Sequence, residues 1–222
     1  RLWMLDEEQI VEELMLLNSS IVHDALRIEK YKNQTLPHEI KPLYFEKKIA
    51  GKIWTVSGSL KKNASEKETL LSWTNFLSKA ENNSVIVCQP NNHEIALMGE
   101  LSAETLKLKN IKGYITDGGC RDVSRIKSEI KLPVYCRFNT PKDVAGRWMI
   151  EDMGTSIKIG NVKIRTNDYL IADEDGIVII PRHLINKILT RAKKDLNSEN
   201  KMRTAILSGI DPKEAYLKFG KF

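Results

Sequence analysis

The chain has 222 residues, 41% of them hydrophobic and 29% charged, and carries a formal charge of +6. That length accommodates one sizeable core, and the balance excludes a disordered chain. No apolar run approaches the roughly 18–20 residues of a membrane span.

The opening RLWMLDEEQ holds no apolar leader, so no secretory signal is read. Residues 6–17, DEEQIVEELMLL, place apolar residues at helical spacing behind an acidic first turn. Asn18-Ser19-Ser20 ends that helix and caps the next, IVHDALRIEKY. Residues 33–47 contain Pro37 and Pro42 and read as a loop. KKIAGKIWTVSG, 47–58, is strand-like, and SEKETLLSWTNFLSKA, 65–80, opens on a capping-box pattern from Ser65 to Glu68.

The pattern then alternates quickly. SVIVCQ (84–89) and EIALMG (94–99) read as short buried strands, and GELSAETLKLKN (99–110) as a loop entering a helix. GYIT is a strand, RDVSRIKSEI a short helix and LPVYCRF (132–138) a strand. This alternation is the signature of a layered α/β fold with some parallel strands. SIKIGNVKIR predicts a hairpin across Gly160-Asn161, and YLIADEDGIVII a second across Glu174-Asp175-Gly176. Beyond Pro181 the chain is helical, ending in DPKEAYLKF. The expectation is one α/β domain over residues 1–190, with residues 191–222 a C-terminal helical extension of that domain.

In such a fold, ligands sit at loops leaving the carboxyl ends of strands. GYIT-DGGCRD is such an exit. Glycines let a ligand approach the main chain, Arg121 offers a fork of donors to a carboxylate or phosphate, and Asp122 offers a hard oxygen to Mg2+ or Mn2+. Taken alone, Asp122 also reads as a helix cap, Arg121 as a surface arginine and Asp117-Gly118-Gly119 as a tight turn. A second exit changes the balance. Gly99-Glu100 also leaves a strand and enters a helix, 22 residues before Asp122. Neighbouring exits face one crevice, so Glu100 and Asp122 are expected to share a cation, with the amides of Leu101 and Ser102 receiving an anion.

The segments GELSA (99–103), DGGCRD (117–122), LPVYCRFNTPKD (132–143) and NDYLIADEDGIVIIP (167–181), with SSIVHDAL and GKIWTV upstream, resemble the RraA-like family. That family includes metal-dependent aldolases acting on 4-hydroxy-4-methyl-2-oxoglutarate and 4-carboxy-4-hydroxy-2-oxoadipate. The resemblance covers roughly residues 19–181. It implies a layered ββα sandwich of the swivelling-domain type and assembly as a homotrimer or a hexamer, with the site near a subunit interface. It implies that Arg121 binds the pyruvyl carboxylate, that Asp122 holds Mg2+ or Mn2+ with Glu100 in support, and that Gly99 and the amides of Leu101 and Ser102 meet substrate oxygens. An acidic side chain from a neighbouring copy is also implied, with Glu199 the candidate and Asp195 second. The chemistry implied is cleavage of a 4-hydroxy-2-keto acid to pyruvate, with oxaloacetate decarboxylation. Some relatives instead regulate a ribonuclease by binding it, which is the alternative reading.

The chain departs from the family pattern at Ser102, where a leucine is usual, and at Glu100, where aspartate is frequent. Arg147 is a candidate for a second substrate carboxylate. The methyltransferase label sometimes attached to the family finds no glycine-rich cofactor loop here. Cys88, Cys120 and Cys136 are odd in number and widely spaced. They read as core thiols of a protein from a reducing, cytoplasmic setting. His23-Asp24 reads as packing and capping rather than a catalytic pair. His38, His93 and His183 share no ligand spacing. Trp3, Trp54, Trp73 and Trp148 form no base-stacking platform. The densest basic spot, RAKKDLNSENKMR (191–203), is interrupted by acidic residues. It reads as a solvated helix face, so no nucleic acid is expected, and a mildly basic surface suits a small anionic substrate.

Overall fold

The structure, a computed structural model, describes residues 4–44 and 47–222. Trp3 and positions 45 and 46 of the expected loop lie outside the described residues. The chain begins with helices α1 (Glu7–Met15) and α2 (Ser19–Ile28), then strands β1 (Lys41–Pro42) and β2 (Ile49–Leu60) and helix α3 (Glu66–Lys79). The middle comprises β3 (Val85–Gln89), α4 (Glu100–Leu108), β4 (Gly113–Thr116) and β5 (Gly119–Cys120). There follow α5 (Val123–Arg125), which runs into a π-helical turn (Ile126–Ile130), β6 (Val134–Cys136), β7 (Phe138–Asn139) and β8 (Trp148–Met153). The hairpins β9 (Ile157–Ile159) with β10 (Val162–Ile164) and β11 (Tyr169–Asp173) with β12 (Gly176–Ile180) precede α6 (Ile185–Leu207) and α7 (Pro212–Phe219).

The helix starts follow from local chemistry. Asp6 and Gln9 form a reciprocal capping box on α1, and Ser65 and Glu68 form another on α3. The Asn18 side chain accepts from the Ile21 N–H at the start of α2, at 2.9 Å.

The main sheet runs β1-β6-β4-β3-β2-β11-β12, with β8 also on β2. Strands β2, β3, β4 and β6 are parallel neighbours. Every residue of β4 and all but the last of β3 are buried, as expected of central parallel strands covered on both faces. Strand β2 serves two partners along its outer edge. Its start pairs antiparallel with β11 and its end antiparallel with β8, with a bulge at Ser57/Gly58. A side chain at Gly58 would meet the Met149 carbonyl at 2.2 Å and the Trp148 ring at 2.4 Å, so the bare backbone there lets Trp148 lie across the strand.

One face of the sheet packs Trp54, Phe76, Leu106, Tyr114 and Trp148 under α3 and α4. The other packs Ile53, Val87, Ile115 and Leu170 under the β9–β10 hairpin, whose Ile157, Ile159, Val162 and Ile164 are all buried. At the β11–β12 end, α1, α2 and α6 close a further cluster around Leu14, Val22, Ile171 and Ile188. The layered ββα arrangement expected from the resemblance is therefore present, with the long helix α6 at the C-terminal end.

Four segments differ from expectation. EIALMG is no continuous strand: it makes one bridge, Ala96 to Gly119, within an otherwise irregular run. Its apolar run is real, since Ile95, Ala96, Leu97 and Met98 are all buried, but burial alone does not make a strand. LPVYCRF breaks into β6 and β7 at Arg137, whose side chain turns to pair with buried Asp117. WMIEDM, for which the sequence predicts no element, is strand β8. The expected loop at 33–47 contributes β1, which extends the sheet beyond β6.

Candidate active site

Strands β3, β4 and β6 point the same way, so the segments that follow them gather at one edge. The chain leaving β3 turns at Asn91 (φ +55°) and runs through Ile95–Met98 beside the chain leaving β4. The N–H groups of Leu97 and Gly119 donate to the carbonyls of Gly119 (2.9 Å) and Ile95 (3.1 Å), and that of Arg121 donates to Met98 O (2.9 Å). The buried Tyr114 hydroxyl donates to Leu97 O at 2.7 Å. These bonds fix the register between Gly99-Glu100 and Arg121-Asp122.

The consequence is contact between the two motifs. The Glu100 N–H, at the start of α4, donates to Asp122 Oδ2 at 2.9 Å. Asp122 stands in the left-handed region at φ +56°, an uncommon conformation for a non-glycine residue and one that clusters at functional sites. Gly99 makes the approach possible. A Cβ there would lie 2.9 Å from Asp122 Oδ2 and 3.3 Å from Arg121 Nε. The Arg121 Nε is 3.7 Å from Asp122 Oδ2.

A cleft of about 500 Å3 opens here. Gly99, Glu100, Leu101, Ser102, Arg121, Asp122 and Asp143 supply its polar side, and Leu70, Trp73, Leu77 and Met98 its apolar side. The first amides of a helix lack acceptors within it. In α4 that of Glu100 is taken by Asp122 and that of Ala103 by the Gly99 carbonyl. Among the described residues, none accepts from Leu101 or Ser102, both of which line the cleft. The serine found where the family favours leucine has its own local use. Trp73 Nε1–H donates to Ser102 Oγ at 2.8 Å and ties α4 to α3.

Gly99, Glu100, Leu101, Ser102, Arg121 and Asp122 thus meet at one cleft, as the sequence predicts. Glu199 does not line it. It lies on α6, paired with Arg203 at 3.1 Å, and Asp195 of the same helix pairs with Arg191. Arg147 pairs with Asp143 at 3.4 Å and is not part of the lining. Two participants escaped the sequence reading. Asp143, from the chain leaving β6, faces Arg121 Nη1 at 3.5 Å. Arg125 meets Glu100, Glu104 and Glu129 with a different nitrogen each, all at 3.3 Å. The rule that parallel-strand exits share a crevice, applied to β6 as well, would have pointed to Asp143.

Among the described residues, no group of three or more His, Cys, Asp and Glu side chains is placed to hold a metal ion. The donors present nonetheless suit Mg2+ or Mn2+. Such a hard ion keeps several waters and needs only one or two protein carboxylates with ligand oxygens. Asp122 Oδ1 has no partner among the described residues, and Glu100 is held through Oε2 alone, by Arg125. Asp122 would be the principal protein ligand and Glu100 an auxiliary one. Cys120, behind the loop, is buried, and burial pushes its thiol pKa up, which makes it a packing residue and not a nucleophile. Among the described residues, His23 meets Thr35, at 3.5 Å, and Asp24 pairs with Arg27, so the two form no catalytic couple there.

Residues 19–179 match the RraA-like family, described as Aldolase/RraA. The chain belongs to the RraA-like family. Protein DlpA of Legionella pneumophila is 27% identical over 214 residues, covering 93% of this chain and 33% of that protein. A protein of Halalkalibacterium halodurans, provisionally named 4-hydroxy-4-methyl-2-oxoglutarate aldolase, is 28% identical over 123 residues, covering 55% of this chain and 58% of its own. This RraA-like chain therefore spans a third to somewhat over half the length of these relatives. Among solved structures, Streptomyces coelicolor RraAS2, described as an unusual member of the RNase ES inhibitor RraA protein family, superposes with a TM-score of 0.78. It is 21% identical, covering 90% of this chain and 98% of its own, a likeness of fold. No described helix of this chain is long and apolar enough to cross a membrane.

Proposed function

We propose that this chain is a divalent-cation-dependent lyase that cleaves a 4-hydroxy-2-keto acid to pyruvate and also decarboxylates oxaloacetate. The observation that carries the reading is the meeting of the two motifs: Asp122 Oδ2 on the Glu100 amide at 2.9 Å, with Arg121 beside it in the same cleft. The aldolase name of the Halalkalibacterium halodurans relative supports the substrate class.

In this reading Arg121 pairs with the substrate carboxylate through its guanidinium fork. The amides of Leu101 and Ser102, at the positive end of α4, donate to a substrate oxygen. Holding the carboxylate orients the C3–C4 bond against the carbonyl π system, so bond breaking needs little further reorganisation. A carboxylate at the cleft, directly or through one water, takes the proton from the C4 hydroxyl as C3–C4 breaks, and a proton returned to C3 completes pyruvate. Mg2+ or Mn2+, held by Asp122 with Glu100 in support, would supply Lewis-acid stabilisation of the charge developing on the keto oxygen. Loss of CO2 from oxaloacetate develops the same charge and uses the same grip on the carboxylate, with no hydroxyl proton to remove. Glu199 is proposed to approach the cation from a neighbouring copy in a homotrimer or hexamer. Its half-exposed position away from its own chain's cleft is compatible with that role.

The test is pyruvate release from oxaloacetate and from 4-hydroxy-4-methyl-2-oxoglutarate, with Mg2+, with Mn2+ and with EDTA. Release that needs the cation and disappears in Arg121→Ala supports the lyase. No release from either compound favours a regulator that acts by binding a ribonuclease.

A further inference from the structure

Arg121 reaches the cleft on a long arm, and its side chain is 40% exposed. A guanidinium so placed would lose much rotamer freedom on gripping a ligand, unless the protein already holds it. Three acceptors surround it. Asp122 Oδ2 lies 3.7 Å from Nε, and Asp143 Oδ2 and the Pro141 carbonyl each lie 3.5 Å from Nη1. No acceptor among the described residues meets Nη2.

Asp143 is itself fixed. Its other oxygen, Oδ1, accepts from the Ala145 N–H at 3.3 Å and from Arg147 Nη1 at 3.4 Å. The turn that carries it is anchored on both sides. The Ala96 N–H donates to Lys142 O at 2.7 Å, and the Gly146 N–H donates to Oγ1 of buried Thr69 on α3 at 2.7 Å. Val144 is buried in the core.

We propose that Asp143 is a positioning residue for Arg121. It holds the Nη1 edge so that Nη2 is presented to a ligand carboxylate, and Arg147 keeps Asp143 in place. This inference rests on the lyase reading above. It also gives Arg147 a role other than binding a second substrate carboxylate.

The test is calorimetric titration of the full chain with pyruvate in the presence of Mn2+, and separately with Mn2+ alone. Wild type, Asp143→Ala and Asp143→Asn are compared. Asp143→Ala is expected to weaken pyruvate by about three- to tenfold, the cost of ordering one long side chain, while Mn2+ affinity stays within about twofold. Asp143→Asn, which keeps an oxygen for Nη1, is expected to recover part of the loss, and it remains informative if the alanine variant fails to fold. Pyruvate binding unchanged in both variants overturns the proposal. Tighter binding in Asp143→Ala, the result if Asp143 competed with the ligand for Arg121, also overturns it. A wild type that binds no pyruvate overturns the lyase reading itself, a distinct failure.

Discussion

Gly99 lines the cleft beside both Arg121 and Asp122. Its missing side chain is what lets the Asp122 carboxylate reach the Glu100 amide, because a Cβ would stand 2.9 Å from Oδ2 and 3.3 Å from Arg121 Nε. Gly99→Ala is therefore expected to push Asp122 and Arg121 apart without disturbing the core. The measured outcome should be Mn2+ affinity and pyruvate release each lower by about tenfold or more, with a melting temperature within a few degrees of wild type. Retained affinity for both would show that the close approach is incidental. At this scale Arg121, Asp122 and Glu100 were legible in the sequence because two motifs, each with ordinary uses alone, recur together in the family that the chain resembles. Asp143 and Arg125 were not. Asp143 follows the third parallel strand, whose exit the sequence reading did not bring to the crevice, and Arg125 shows its role only in the folded surface, where it pairs with Glu100.

The central parallel strands carry two of the three cysteines. Cys88 on β3 and Cys136 on β6 are buried, and burial pushes each thiol from 9.0 up to about 12. The neutral thiol is thus favoured in the folded chain. A raised folded pKa contributes stability that is complete below the unfolded value and is lost as pH rises through the folded one. The urea midpoint is expected to stay level from pH 7 to about 9 and to fall steadily toward pH 11, with a shallower fall in Cys88→Ala. A midpoint that begins to fall well below pH 9 would assign the loss to other groups. Among the elements, helix starts were readable because caps are local: Ser65 with Glu68, and Asn18 with Ile21. Strand β8 was obscured by Glu151-Asp152, which sit exposed on a strand that pairs only with the end of β2. EIALMG misled for the opposite reason: its Ile95, Ala96, Leu97 and Met98 are buried while its backbone makes a single bridge.

For the molecule as a whole, topology does the assembling. Three parallel strands deliver three loops to one edge. The first two bring the GEL and RD motifs together, and the third supplies the acid that faces Arg121. The parallel order was readable from the alternation of strands and helices, and so was the shared crevice. The antiparallel partners of β2 were not, because pairing between segments so far apart in the chain leaves no local trace. Asp122 is proposed as the protein's hold on a catalytic cation at this cleft. The most direct measurement is Mn2+-dependent pyruvate release from oxaloacetate by Asp122→Ala beside wild type, with thermal unfolding of both. A rate lower by about a hundredfold or more is expected, with a melting temperature without metal lower by a few degrees, because the Glu100 N–H loses its acceptor, and no upward shift of that temperature when Mn2+ is added. A variant that releases pyruvate at close to the wild-type rate, or is stabilised by Mn2+ as wild type is, would contradict it.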